Sequence, residues 1–407
     1  MCTQGVSPAK SDIKCAAVVD PPPRPPVFFT SAGLLVAFLV IAMIFPQATI
    51  DFLPKVLSAV STNFGWLYIG SFALIFIFAL WLLGGKYAQI KLGKDDEDPA
   101  YPTITWFAML FSAGIGIGLV YYGVAEPILH YSSPPTGEGF SKAAQADAIA
   151  LAGFHWGVTA WAVFAVTALA IAYFAYRRDL PLTLRSCFYP IFGDRIHGWI
   201  GHSIDILAVF GTLFGLATSL GLGAMSVSAG FHKLFGFAHN PTTQLILICI
   251  ITAAATVSLI TGVDKGIRRI SEANMIMAGC LMVFVFFAGP TLEIIHSFIE
   301  GIGNYLTNFV HRSFRLGSAD PSGEGKWVQD WTVFYWGWWL SWAPFVGIFV
   351  ARISRGRTIR EFILGVLLAP SLVTLLWFSV FGTTAISMDV AGLPLAEAVQ
   401  ADRSTAI

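Results

Sequence analysis

An all-α fold that spans a membrane is what this sequence predicts, on three observations. Of 407 residues, 56% are hydrophobic and only 12% charged, about half the charged share of an ordinary soluble domain. The apolar residues gather into nine runs near the ~20 residues that a helix needs to cross a bilayer. With the N-terminus inside, 17 of the 24 Lys and Arg residues fall in inner segments and seven in outer ones, the bias of cytoplasmic loops.

The runs cover approximately 27–46, 66–84, 103–124, 147–176, 203–230, 243–262, 273–291, 328–351 and 361–385. The fourth and fifth exceed a bilayer's thickness, which implies tilt or extension beyond it. Residues 1–26 are polar, end in the proline run Pro21–Pro26 and are expected to form a disordered cytoplasmic tail. Residues 292–327 mix apolar positions with Glu293, His296, Glu300, His311 and Arg312. They are expected to form an amphipathic helix along the outer surface, with a turn at Asp320–Gly325 behind it. Net charge is zero, so nothing points to nucleic acid, and the five scattered cysteines read as inert apolar residues.

The eighth run is the most unusual. Six of the 13 tryptophans lie between Trp327 and Trp342. On a helix, Trp331, Tyr335, Trp338 and Trp342 share one face, with Trp336 and Trp339 about a quarter-turn round. Gly337 and Pro344 are expected to interrupt this helix, because Pro344 cannot donate to the carbonyl of Leu340. Broken backbone in a membrane survives only inside protein or beside a cavity. Aromatic faces beside freed carbonyls suit a bulky cation without N–H donors, such as a trimethylammonium group. An aromatic belt at the membrane interface is the competing reading.

In the third run, Gly114, Gly116 and Gly118 fall two apart, on nearly opposite helix faces. Three glycines favour local unwinding, while Gly114 and Gly118 alone would make a small-residue packing pair. Spacing leaves both open. In the fourth run, Trp156, Trp161 and Phe164 share one broad helical face, as a binding wall or as ordinary packing. Glu126 and Asp205 sit near span ends, where solvation is expected, and His155 reads as a packing histidine. Thr212, Thr218 and Ser219 are expected to bond back to their own helix. The arginines of Arg352–Arg360 read from charge alone as topology determinants and lipid contacts. A membrane-embedded hydrolase is disfavoured by the lack of GxSG and HExxH, and a channel by the lack of charge rings or repeated filter loops.

Asp330-Trp331-Thr332-Val333-Phe334-Tyr335-Trp336-Gly337-Trp338-Trp339, then Ser341-Trp342-Ala343-Pro344-Phe345 and Ala351-Arg352-Ile353-Ser354-Arg355-Gly356-Arg357, resembles the signature of the betaine/carnitine/choline transporter family. The similarity runs from about Val27 to the last residue. It implies an inverted-repeat secondary-transporter fold of the LeuT type. Residues 27–102 would give two peripheral helices, 103–291 the first five-helix repeat, and 328–407 two helices of a second repeat. That second repeat is expected to be incomplete, so a piece of a carrier that moves nothing is an alternative.

The resemblance also implies roles for residues. Trp156, Trp161, Phe164 and Trp339 match a cage for a trimethylammonium head, with Trp338 and Trp342 on the path beside it. Gly114, Gly116 and Gly118 match a stretch lying against substrate and ion. Ser112, Ile115, Thr212 and Phe345 are the implied ion-binding positions, and Arg352, Arg355 and Arg357 the implied inner-gate loop. Phe164 stands where sodium-coupled betaine carriers usually have Tyr. Gly118 stands where proton-coupled choline carriers tend to have Asp, which leans toward sodium; the loop Pro181–His202 leans toward choline. The expected activity is ion-coupled uptake of choline or glycine betaine, with carnitine less favoured, by a non-enzymatic, lipid-embedded homotrimer in the bacterial inner membrane. No cofactor is expected beyond a coupling sodium ion.

Overall fold

The computed structural model describes residues 24–114, 116–260 and 268–401. Helix dominates them; the one strand-like pairing among the described residues is a bridge between Lys91 and Thr358. Helices α1 (Pro25–Ile44) and α2 (Pro46–Gly84) each begin with proline in the first turn, where its missing N–H costs no helical bond. The segment between the first two apolar runs is therefore helical as well. The third run divides into α3 (Thr103–Gly114) and α4 (Ile117–Ser132), which meet at 66°. The fourth divides at Gly157 into α5 (Lys142–Trp156), capped by the Ser141 side chain, and α6 (Val158–Arg178).

The short α7 (Tyr189–Phe192) leads into α8 (Trp199–Phe235), α9 (Pro241–Ile260) and α10 (Arg268–Ala288). Helix α11 (Thr291–Ser313) turns through 113° from α10, so the polar stretch after the seventh run does not continue that span. Next come α12 (Glu324–Val328), a π-helical turn at Gln329–Val333, α13 (Phe334–Ile353), α14 (Ile359–Val390) and α15 (Leu395–Ala401). Among the described residues, six helical segments can cross a membrane by length and composition, or up to eight if each of the bent pairs α3–α4 and α10–α11 is one span. An all-α membrane protein is the result.

Two expectations need correction. Helix α13 runs unbroken through Gly337 and Pro344. Proline removes one bond and its neighbours hold the turn, because α13 packs along α6, with Gly347 against Thr167. The irregularity lies earlier, in the π-helical turn. Glu126 and Asp205 are buried rather than solvated; Asp205 pairs with the equally buried Arg185. A carboxylate taken out of water needs such a partner.

Not all the tryptophans of the eighth run serve one face. Trp336 stacks on Phe72 of α2 at 4.5 Å between ring centroids, and both are nearly inaccessible. The arginine-rich turn after α13 is stitched to the loop following α2. The N–H of Leu92 donates to the Arg357 carbonyl at 2.8 Å, and the N–H of Gly356 donates to the Leu92 carbonyl at 2.8 Å. Arg355 pairs with Glu97 at 2.5 Å. Arg357 donates to the Tyr101 carbonyl at 2.9 Å and lies 4.0 Å over the Trp106 ring, whose own N–H bonds Ser354. These two arginines bond within the protein.

Gly356 makes that junction possible: its φ is +83°, and a Cβ there would sit 2.2 Å from the Asp98 carbonyl oxygen. Gly356→Ala is expected to destabilise the fold by about 1–3 kcal/mol, seen as a lower thermal unfolding midpoint in detergent. An unchanged midpoint would mean that the junction contributes nothing to stability.

Candidate functional site

The breaks in the third and fourth spans lie on one cavity. Its volume is about 210 Å³, and its wall includes Gly116, Gly118, Trp156, Trp161, Phe164, Trp338, Trp339 and Trp342. Four helices supply these residues: the start of α4, the junction of α5 and α6, and the middle of α13. Gly116 adopts an extended backbone ahead of α4, so the helix stops and restarts at the glycine stretch. That outcome favours unwinding over a packing seam.

Each break leaves backbone groups without intrahelical partners, and at the α5–α6 break aromatic side chains meet two of them. The His155 carbonyl, in the last turn of α5, accepts the indole N–H of Trp339 at 2.9 Å. The N–H of Val158, opening α6, donates to the Tyr305 hydroxyl at 3.2 Å. Trp339 thus holds the end of α5 while its ring faces the cavity.

The rings pack at angles to one another. Trp156 meets Trp339 edge-to-face at 4.8 Å and 74°, and Trp338 stacks flat on Trp339 at 5.3 Å and 5°. Phe164 approaches Trp339 at 6.0 Å and 80°, and Trp161 approaches Phe164 at 5.6 Å and 81°. All five are buried. Gly118 lets α4 come close: a Cβ there would lie 2.9 Å from Trp156 and 3.1 Å from Trp338.

Behind this wall is a polar cluster. Glu126 of α4 has no solvent exposure. Its Oε1 lies 2.7 Å from Nδ1 of His155 and 3.1 Å from Nε2 of His130. Its Oε2 accepts the Trp156 indole N–H at 2.8 Å and the Tyr335 hydroxyl at 2.5 Å. Ligand atoms of Glu126, His130 and His155 fall within 4.8 Å of one another, the spacing of a candidate metal trio. The pairwise distances are those of hydrogen bonds, and His155 uses its other nitrogen on Thr332 at 3.1 Å. The cluster is a buried hydrogen-bond network behind the wall, in which Nδ1 of His130 alone is left without a partner among these three residues.

Other expected positions fall elsewhere. Gly114 ends α3, with only its backbone described, and Ile115 lies outside the described residues. Ser112 and Thr212 are half-buried and Phe345 is exposed; none of the three lines the cavity. Arg352 ends α13, and Arg355 and Arg357 belong to the junction described above. Thr218 bonds back to Phe214 as expected. Sequence reasoning named Ser219 only as a hydroxyl bonding back to its own helix, missed Thr374, and missed the role of Glu126; Ser219 and Thr374 are the wall's hydroxyls. A carboxylate in an apolar run, 29 residues before a histidine–tryptophan pair, was the available signal.

The model of the betaine/carnitine/choline family of transporters matches residues 26–407. The chain belongs to that family. It is 46% identical over 367 residues to the glycine betaine transporter OpuD of Bacillus subtilis, covering 90% of this chain and 72% of that protein. It is 41% identical over 386 residues to a glycine betaine transporter of Acinetobacter baylyi, covering 94% and 58%. It is 42% identical over 363 residues to the high-affinity choline transport protein of Escherichia coli, covering 89% and 53%. The chain thus spans between about half and three quarters of the length of these relatives. The family consists of transporters, which bears out the reading of a multi-pass membrane protein that is not an enzyme.

Gly118→Ala forces its added methyl into two indoles. It is expected to weaken occupancy of the cavity roughly tenfold or more, from an overpacking cost of about 1–3 kcal/mol. Titration of tryptophan fluorescence with choline and glycine betaine checks this; wild-type affinities would rule out close approach of α4 to the two rings.

Proposed function

We propose that this chain carries a quaternary ammonium compound, choline or glycine betaine, into the cell by ion-coupled secondary transport, with the aromatic cavity as its binding site. The observation that carries the reading is the ring wall: Trp156, Trp161, Phe164, Trp338 and Trp339 line one buried hollow. A trimethylammonium head offers no N–H to bond, so ring faces are its natural partners, at up to ~2 kcal/mol or more each when dry. The start of α4 also lines the hollow. Its first-turn N–H groups suit the carboxylate of glycine betaine or the hydroxyl oxygen of choline. The names of the relatives support both substrates.

Sodium is the favoured coupling ion and protons the alternative. Gly118 brings no titratable group, and a side chain there would strike Trp156 and Trp338. Ser112, Ile115, Thr212 and Phe345 remain the proposed ion positions; Phe345, being exposed, supports that reading least. Alternating access would rock the helices carrying the ring wall against the rest, with Arg352, Arg355 and Arg357 in the inner gate. Residence in a bacterial inner membrane with the N-terminus inside, and assembly as a homotrimer, belong to the same proposal.

Uptake of radiolabelled choline and glycine betaine into cells lacking their own carriers, with and without sodium, tests it. Wild type is expected to accumulate at least one compound in a sodium-dependent manner. Trp339→Ala removes both a ring and the N–H that holds His155, so it should raise the half-saturating concentration roughly thirtyfold. Uptake of neither compound, together with no binding to the purified chain, would remove the proposal; sodium-independent uptake would remove only the sodium assignment.

A further inference from the structure

Glu126 touches no part of the cavity's empty volume, yet it is bonded to the cavity wall. The indole N–H of Trp156 can only donate, so Oε2, 2.8 Å away, is its acceptor. A hydrogen bond from an indole to a carboxylate is charge-assisted. It shifts electron density from the N–H bond into the ring and makes the ring face more negative. The ring so enriched is part of the cavity wall. The same oxygen accepts from Tyr335, whose ring lies parallel to Trp338 and Trp339, at 6.1 Å and 18° and at 5.9 Å and 19°. His155, bonded to Oε1, offers its backbone carbonyl to Trp339. One carboxylate therefore reaches Trp156 through one bond, and Trp339 and Trp338 through His155 and Tyr335 in turn. The groups facing it are two imidazoles, an indole and a phenol, and its ion pairs among the described residues are with the two histidines.

We propose that Glu126 is a positioning residue that sets the cavity's preference for a cationic head over a neutral head of the same shape, by holding the Trp156 indole and enriching its face. This rests on the quaternary-ammonium reading above. A purely structural brace would do something different: its loss would misalign the rings and weaken every occupant alike.

The test therefore compares two occupants. Choline and its neutral carbon isostere, with a tert-butyl group in place of trimethylammonium, fill the same volume and differ in charge. Their affinities for the purified full chain are read by tryptophan fluorescence, and folding of each variant is checked by size exclusion and thermal unfolding. Wild type should favour choline. Glu126→Gln should cut that preference roughly fivefold to tenfold, the scale of a cation–π contribution, with the isostere's own affinity nearly unchanged. In the Trp156→Phe background, where no indole N–H remains, the same substitution should no longer change the preference.

Glu126→Asp keeps the charge but withdraws it from the indole, so it should lower the preference part of the way. It decides the matter if the Gln variant does not fold. An unchanged choline-to-isostere ratio in a folded Glu126 variant overturns the proposal, as does an equal loss of both ligands. If wild type binds glycine betaine and not choline, the same comparison is made with glycine betaine and its tert-butyl isostere; failure to bind either compound would instead count against the transport reading on which it rests.

Discussion

A helix that breaks inside a bilayer must have its loose backbone groups met by other parts of the protein, since lipid offers no donors or acceptors. The architecture of this chain follows from that constraint. Its third and fourth spans break at Gly116 and Gly157, and side chains converge on the second break. Tyr305 meets the N–H that opens α6, and Trp339 meets a carbonyl that closes α5. Both repairing groups are aromatic, and one of them, Trp339, also lines the cavity between the helices.

The same residues do several jobs, which makes the cavity wall stiff. Trp156 lines the cavity, bonds Glu126 and packs edge-to-face on Trp339. Tyr335 and His155 tie α13 and α5 to Glu126 on α4. A buried carboxylate without donors would be very costly; with four it becomes a fixed point that joins three helices. Such networks favour one arrangement of their members over many. A hollow for a cation without hydrogen-bond donors gains from this, because nothing on the occupant can pull the rings into place.

A second fixed region lies at the opposite end of α13. There the backbone of residues 88–100 runs against that of 355–360. Arg357 lies between Trp106 and the Tyr101 carbonyl. The junction joins the loop after α2 to the turn between α13 and α14. Any movement of α13 relative to α2 and α3 must therefore strain or open it.

Much of this could be read from the residues in order. Composition and run length determine an all-α membrane fold, because apolar stretches near 20 residues have few other stable forms. The tryptophan-rich run and the glycine triplet marked the cavity, since a belt at the interface does not need rings spread over three turns and repeated glycines weaken a helix. Local signals failed where the outcome depends on what packs alongside. Pro344 suggested a break, yet α13 continues through it; Gly157 gave no warning, yet α5 ends and α6 begins there. Glu126 and Asp205 looked solvated from their places near the ends of runs. His130 lies one helical turn from Glu126, but only the tertiary structure brought three further donors to it and a buried arginine to Asp205, because burial of a charge is decided largely by partners far away in the chain.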